Sequence, residues 1–215
     1  MADSIIKVIG IGGCGIDIVN SIVDKGIKGI ECVAVDTDKL ALDKSKAQKK
    51  LLIGEKSANG LGAGGQPDVG EKTAQEDAEV IKALFSEGHD SIAVIIAGMG
   101  GGTGTGAASV VAEEAKENGA SVIAIVCKPH EFEDDIKMEF AEDGIKKLCK
   151  SIDNIITLKN QGIMTVIKDP ELSGVSFDEA TKIICNVPCK FVQMLSDLVY
   201  DDNVKGSMKF IKSIL

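Results

Sequence analysis

The chain has 215 residues, a formal charge of −9, 44% hydrophobic residues, 3% aromatic residues and no tryptophan. All 24 of its basic residues are lysines, so the bidentate arginine fork is unavailable, and the acid excess argues against nucleic acid or an acidic membrane as partner. The length suits one large domain, and a core drawn from Val, Ile, Leu and Ala suits strands buried on both faces.

Apolar runs alternate with helical patterns along the whole chain, the rhythm of an α/β fold. A first strand is predicted at residues 5–11, followed by a helix over 15–25. Strands follow near 31–36 and 50–53, then a helix over 73–86 for which Thr73 and Glu76 make a capping box. A buried strand at 91–97 leads to a helix at 103–118, a strand at 121–127 to a helix at 135–148, and a last strand is expected at 154–158. Ser176 and Glu179 form a second capping box that opens a long helix running toward Val199, with a kink expected at Pro188. Residues 208–215 read as a short, partly apolar helix that needs a surface to pack on. The sum is a three-layer fold, a mostly parallel sheet flanked by helices, with its site at the strand ends.

Six cysteines, Cys14, Cys32, Cys127, Cys149, Cys185 and Cys189, have no CxxC spacing, and the amino terminus runs into a strand without a signal sequence. Both features fit a reduced cytoplasm with buried thiols. His89 and His130 read as loop residues. No apolar run approaches the roughly 20 residues of a membrane span, so direct insertion is not expected.

Two glycine-rich loops carry the chemistry. Gly10-Ile11-Gly12-Gly13-Cys14-Gly15 lies between a strand and a helix, and Asp36 ends the next strand 21 positions beyond Gly15. Alone, that pattern describes a dinucleotide site with its ribose acid. The second loop spans residues 98–106, and all its residues except Met99 are glycine or threonine. Such a run presents successive backbone amides as an anion nest, to which Thr103 and Thr105 can add hydroxyls. A dinucleotide domain has no use for a second nest, whereas two nests facing one crevice suit a triphosphate. Residues 60–67 form a third glycine-rich stretch, with two readings open: a segment that closes over the terminal phosphate, or a free loop that is simply mobile. No G-x-x-x-x-G-K-[ST] occurs, which removes the P-loop class.

These motifs resemble the FtsZ/tubulin family over residues 6–199 in order. Its most specific element here is GMGGGTGTGAA at 98–108, supported by IKVIGIGG at 6–13, VDTDKLAL at 35–42, GLGAGGQPDVG at 60–70 and KPHEFE at 128–133. The resemblance implies a tubulin-type GTPase domain over residues 1–200, long helix included, with 201–215 as a short tail and no second domain. It implies GTP or GDP with Mg²⁺ as ligand and head-to-tail assembly into filaments. Carried over position by position, Gly12, Gly13, Cys14, Gly15, Ile16 and Asp17 fall on the first phosphate loop, Asp17 where the family usually has Asn. Gly101, Gly102, Thr103, Gly104 and Thr105 fall on the phosphate signature, and Ala63, Gly64 and Gly65 near the terminal phosphate. Glu133 falls on the ribose acid, Asn160 on a base-contacting Asn, and Asn186 where an Asp usually reads guanine.

The departures shape the functional expectation. The family's arginine after Glu133 is replaced by Asp135, Ile136 and Lys137, and the catalytic Asn-x-Asp-x-x-Asp segment aligns with residues 203–208, where both acids are gone. Asp201 and Asp202 are the candidate substitutes, acting on the neighbouring subunit's site, and a solvated helix end explains them equally well. The expectation is a cytoplasmic GTP-binding filament former with weak or impaired hydrolysis, reaching any membrane through a protein partner. The alternatives are a non-polymerising nucleotide module acting through a partner protein and an NAD-dependent oxidoreductase.

Overall fold

The computed structural model describes residues 6–85, 91–130, 133–159 and 177–200, with side chains of the last segment from Cys185 onward. Six strands form one sheet: β1 (Ile6–Ile11), β2 (Ile30–Asp36), β3 (Lys49–Leu52), β4 (Ile92–Gly98), β5 (Ser121–Lys128) and β6 (Ile155–Lys159). Their order is β3-β2-β1-β4-β5-β6, and every pairing is parallel. The chain therefore builds outward from β1 in one direction, then crosses to the other side at β4. All loops at the carboxyl ends of the strands open on one edge.

The helices are α1 (Gly12–Asp24), α2 (Lys39–Asp43), α3 (Glu55–Ala58), α4 (Pro67–Glu76), α5 (Ala78–Ala83), α6 (Gly102–Glu117), α7 (Asp135–Ser151) and α8 (Phe177–Tyr200). Alternation along the central strands sends Ile9, Ile11, Val33, Val35, Ile95 and Ala97 into a core that also holds α6 and the buried face of α7. Ile6, Val8, Cys32, Ala34, Val94 and Ile96 face the opposite core, filled by Ile18, Val19 and Ile22 of α1 and Cys189, Val192 and Leu195 of α8. β1 is buried at every position, so its one charge, Lys7, needs partners. It donates to the carbonyl of Leu84 and lies 3.6 Å from the Glu31 carboxylate.

The strands and the helices after β1, β4 and β5 fall where periodicity puts them, with ends shifted by a few residues. The helix predicted over 73–86 does not. Two helices occupy that stretch and the residues before it: α4 starts at Pro67, which occupies its first turn, and α5 follows after Asp77. Thr73 is no cap. Its side chain is buried in the middle of α4, and its hydroxyl donates to the carbonyl of Gly70 at 2.7 Å. The break comes at Asp77, whose carboxylate accepts the Gly54 amide at 2.6 Å and whose backbone leaves helical geometry at φ −109° and ψ 24°.

α4 and α6 approach through glycines. A Cβ on Gly106 would lie 2.1 Å from the carbonyl oxygen of Pro67, and one on Gly70 would lie 2.3 Å from that of Gly102. α8 continues as one helix through Pro188, and the packing of Cys189, Val192 and Leu195 carries it across the missing N–H. The Ser176 cap, the tail over 201–215 and the start of the first strand at Ile5 lie outside the described residues. At its far end, the Ser196 hydroxyl donates to the Lys28 carbonyl and the Tyr200 hydroxyl to the Gly29 carbonyl, just before β2. No helix among the described residues is long and apolar enough to cross a membrane.

Candidate nucleotide site

The order in which strands are added reverses between β1 and β4, and there the two loops expected from the sequence come together. In open parallel sheets this switch point leaves a crevice beyond the strand ends. The chain turns from β1 into α1 at Gly12, with φ +71°, and from β4 toward α6 at Gly100, with φ +99°. Both angles favour glycine over any residue with a Cβ. The loops also touch: a Cβ on Gly12 would lie 2.9 Å from the Gly104 nitrogen. A cavity of about 310 Å³ opens between them, lined by Gly12, Gly13 and Cys14 on one side and by Gly98 to Gly104 on the other. Its remaining wall comes from the end of β5 and the start of α7: Cys127, Lys128, Pro129, Glu133 and Lys137.

Its electrostatics favour an anion. α1 and α6 both begin at this cavity, each helix amino terminus contributing roughly half a positive charge, and neither has an acidic residue in its first turn to cancel it. Lys137 pairs with Glu133 at 3.0 Å, and Lys128 pairs with Glu142. Burial raises the Glu133 carboxyl, but the His130 amide, at 2.9 Å, and the Lys137 ammonium outweigh it and hold the group below its usual range. Glu133 is thus ionised and fixed as an acceptor on the cavity wall.

The threonines shape the nest from inside. The Thr105 hydroxyl accepts the Gly100 amide at 2.8 Å, and Thr105 is not among the cavity-lining residues. Thr103 lines the cavity, and its hydroxyl lies 2.6 Å from that of Thr37. Gly15 packs under the sheet, where a Cβ would meet the Ile96 carbonyl oxygen at 2.4 Å, and Ile16 points into the core. Asp17 is exposed one turn further along α1, outside the cavity lining, and partial desolvation of its carboxylate raises its pKa. Ala63 and the Gln66 nitrogen crowd the Cβ position of Gly102, which puts the third loop beside the second. Gly64 and Gly65 there have φ +59° and +75° with open space around them. Asn186 is half-buried on α8, while Asn160, Asp201 and Asp202 lie outside the described residues. Sequence reasoning did not single out Cys127, Pro129 or Lys128 as wall residues. Their signal was position alone, at the carboxyl end of a strand next to the second loop.

Asp36, the expected ribose acid of a dinucleotide site, has another role. It is 3% exposed and absent from the cavity lining, and its Oδ1 accepts the Thr37 amide at 2.7 Å and the Asp38 amide at 3.3 Å. Burial raises its pKa, against the lowering effect of those two amides and of the nearby Thr103 hydroxyl. The folded state therefore holds the Asp36 proton more tightly than the unfolded chain does. Its contribution favours folding below the unfolded pKa and is lost as pH rises through the raised folded value. Asp36→Asn keeps an acceptor for the Thr37 amide and removes the buried charge. It is expected to raise Tm at neutral pH, and the gain should vanish at about pH 3, where both side chains are neutral. Thermal unfolding at the two pH values decides it, and a lower Tm at neutral pH would mean that the ionised carboxylate stabilises this junction.

The chain matches the Tubulin/FtsZ family, GTPase domain, over residues 5–168. It belongs to that family. It is 42% identical over 197 residues to the cell division protein FtsZ of Buchnera aphidicola subsp. Acyrthosiphon pisum, an alignment that covers 92% of this chain and 50% of that protein. An empty FtsZ dimer from M. jannaschii superposes with a TM-score of 0.82 at 36% identity, covering 94% of this chain and 57% of the other. A GTPγS-bound protofilament of CetZ2 from Haloferax volcanii superposes at 0.73 with 25% identity, covering 92% and 60%. The chain thus spans about half the length of the curated FtsZ it matches. The parallel sheet flanked by helices is that of the family's nucleotide-binding domain, as expected from the alternation of strands and helices and from the family resemblance.

Proposed function

We propose that this chain binds GTP and GDP, assembles head to tail with copies of itself, and hydrolyses GTP weakly. The observation that carries the reading is the meeting of two amide nests, each backed by a helix amino terminus free of acids, at one switch-point cavity. In this reading the nest at Gly12, Gly13 and Cys14 and the nest from Gly101 to Gly104 hold the phosphates. Glu133 takes the ribose, and Asn160 and Asn186 take the base, as the family resemblance implies. Magnesium fits as a cation that arrives on the nucleotide. The described residues offer no group of three acidic, thiol or imidazole ligands, and Mg²⁺ keeps phosphate oxygens and waters as most of its shell. When bound it neutralises phosphate charge, while the chain's amides orient the chain of phosphates.

Assembly is supported by the protofilament of the related CetZ2 and by the rim of the third loop. Leu61 is 83% exposed and Leu40 69%, and the two segments are tied together where the Lys39 amide donates to the Gly60 carbonyl. Weak hydrolysis follows from the altered segment at 203–208, which leaves Asp201 and Asp202 as the only acids near it to orient a water in a neighbouring copy's site. A membrane role requires a protein partner, and the cytoplasm is the proposed location.

Electron microscopy and light scattering of the purified chain with GTP, GDP and ATP test this directly. Filaments with GTP alone are expected, with phosphate release that is slow and falls further in Asp201→Ala with Asp202→Ala. Binding without any assembly in all three nucleotides would favour the non-polymerising module instead. Tight NAD binding in a calorimetric titration would overturn both.

A further inference from the structure

Cys14 sits in the first turn of α1, and Cys127 lies near the carboxyl end of β5. Between them is Gly98 of β4, the register partner of Cys127. A Cβ on Gly98 would lie 2.6 Å from the Cys14 Cβ and 3.0 Å from its Sγ, so the missing side chain is what lets Cys14 settle against the sheet. Register partners on parallel strands point the same way and stand about 4.8 Å apart. The Cys127 side chain therefore rises beside the space that Cys14 fills, which brings the two thiols together on one wall. Both line the nucleotide cavity, Cys14 exposed to it and Cys127 5% exposed.

We infer that Cys14 and Cys127 are a redox modification site, which peroxide converts to an intramolecular disulfide across the wall of the cavity. The neighbouring Cys127 thiol lowers the Cys14 thiol below its usual value, against partial desolvation and the nearby Asp17 and Glu133 carboxylates, while the same pairing and burial push Cys127 up. One sulfur is thus the nucleophile and the other the proton donor, an arrangement the α1 amino terminus reinforces. The Cys14 sulfur attacks one peroxide oxygen; the S–O bond forms, the O–O bond breaks, and the departing oxygen leaves as water with the thiol's proton. The Cys127 sulfur then attacks the sulfenic sulfur; the S–S bond forms, the S–O bond breaks, and the hydroxide leaves as a second water with the Cys127 proton. Two thiols lose two electrons and one peroxide becomes two waters. The other cysteines are poorer candidates: burial pushes Cys32 up to about 12 and Cys185 up to about 11 and raises Cys189, while Cys149 is exposed on α7 away from the cavity.

The bond would pull the first turn of α1 onto β5 and narrow the first nest, lowering nucleotide affinity by about tenfold or more. That consequence rests on the proposed nucleotide site, whereas the thiol chemistry does not. The test treats the full chain, freed of nucleotide, with one equivalent of hydrogen peroxide. The expected result is a mass loss of about two hydrogens, a Cys14–Cys127 peptide under non-reducing conditions, and reversal by dithiothreitol. Cys127→Ser and Cys127→Ala should each stop at a Cys14 sulfenic acid that dimedone traps, and Cys149→Ser should crosslink as the parent does. Cys14 and Cys127 peptides that stay unlinked, or a bond to Cys185 instead, would overturn the inference. Prior addition of GTP should slow the crosslink. A crosslink that forms equally fast with GTP present sinks the nucleotide reading and leaves the thiol pair standing.

Discussion

Gly13→Asp and Gly101→Asp are each expected to abolish nucleotide binding while leaving thermal unfolding unchanged. The two positions are alike and differ from their neighbours: neither has a positive φ, no atom lies within 4 Å of the Cβ position of either, and both line the cavity. The folded chain thus has room for the new side chain, and the stability change should stay within about 0.5 kcal/mol, as for ordinary surface substitutions. A bound phosphate feels it differently. Two like charges about 4 Å apart at an effective dielectric near 20 repel by about 4 kcal/mol, or about a thousandfold in affinity. Alanine at the same positions adds a methyl without charge and should cost much less. Calorimetric titration with GTP and GDP, alongside Tm, gives both readouts. Unchanged affinity in both aspartate variants would remove the phosphates from these nests.

Gly106→Ala is expected to lower Tm by several degrees, against the rule for helix interiors. By propensity alone the change should stabilise α6 by about 1 kcal/mol. The new Cβ, however, would stand 2.1 Å from the Pro67 carbonyl oxygen, 2.4 Å from the Glu71 nitrogen and 2.8 Å from the Gly70 carbonyl carbon. All three are backbone atoms of α4, so no side chain can swing away. Overpacking of this kind costs about 1–3 kcal/mol or more, and here the upper end applies because two backbones must separate. With the propensity gain deducted, a net loss of about 2 kcal/mol corresponds to about 4–8 °C in a domain of this size. A Tm equal to or above the parent's would mean that α4 moves freely over α6.

Much of this was legible because its physics is local. The strands announce themselves as apolar runs, and glycines between a strand and a helix mark a turn that only a residue without a Cβ can make, as Gly12 does. The break between α4 and α5 was hidden because the capping pattern at Thr73 and Glu76 is real chemistry in the wrong place: Thr73 bonds back within a helix that Pro67 had already started. The role of Asp36 was hidden for another reason. Its spacing from Gly15 is that of a ribose acid, but its partners, Thr37 and Thr103, are set by the way β2 meets the second loop. The Cys14 and Cys127 pair, 113 positions apart, depends on the register of β4 with β5 and on the gap at Gly98, neither of which a sequence displays.

α8 ends at the opposite pole from the cavity, with the Tyr200 hydroxyl on the Gly29 carbonyl beside the amino end of β2. Each residue adds at most about 3.6 Å of reach, whereas the seven residues of β2 rise about 23 Å toward the edge where the nucleotide would sit. A side chain one or two positions beyond Tyr200 cannot span that distance to its own molecule's phosphates. Under the proposed reading, hydrolysis is therefore a collective property of the population. A dilute molecule holds its nucleotide intact, and turnover per molecule climbs with concentration until neighbours are continuously in place.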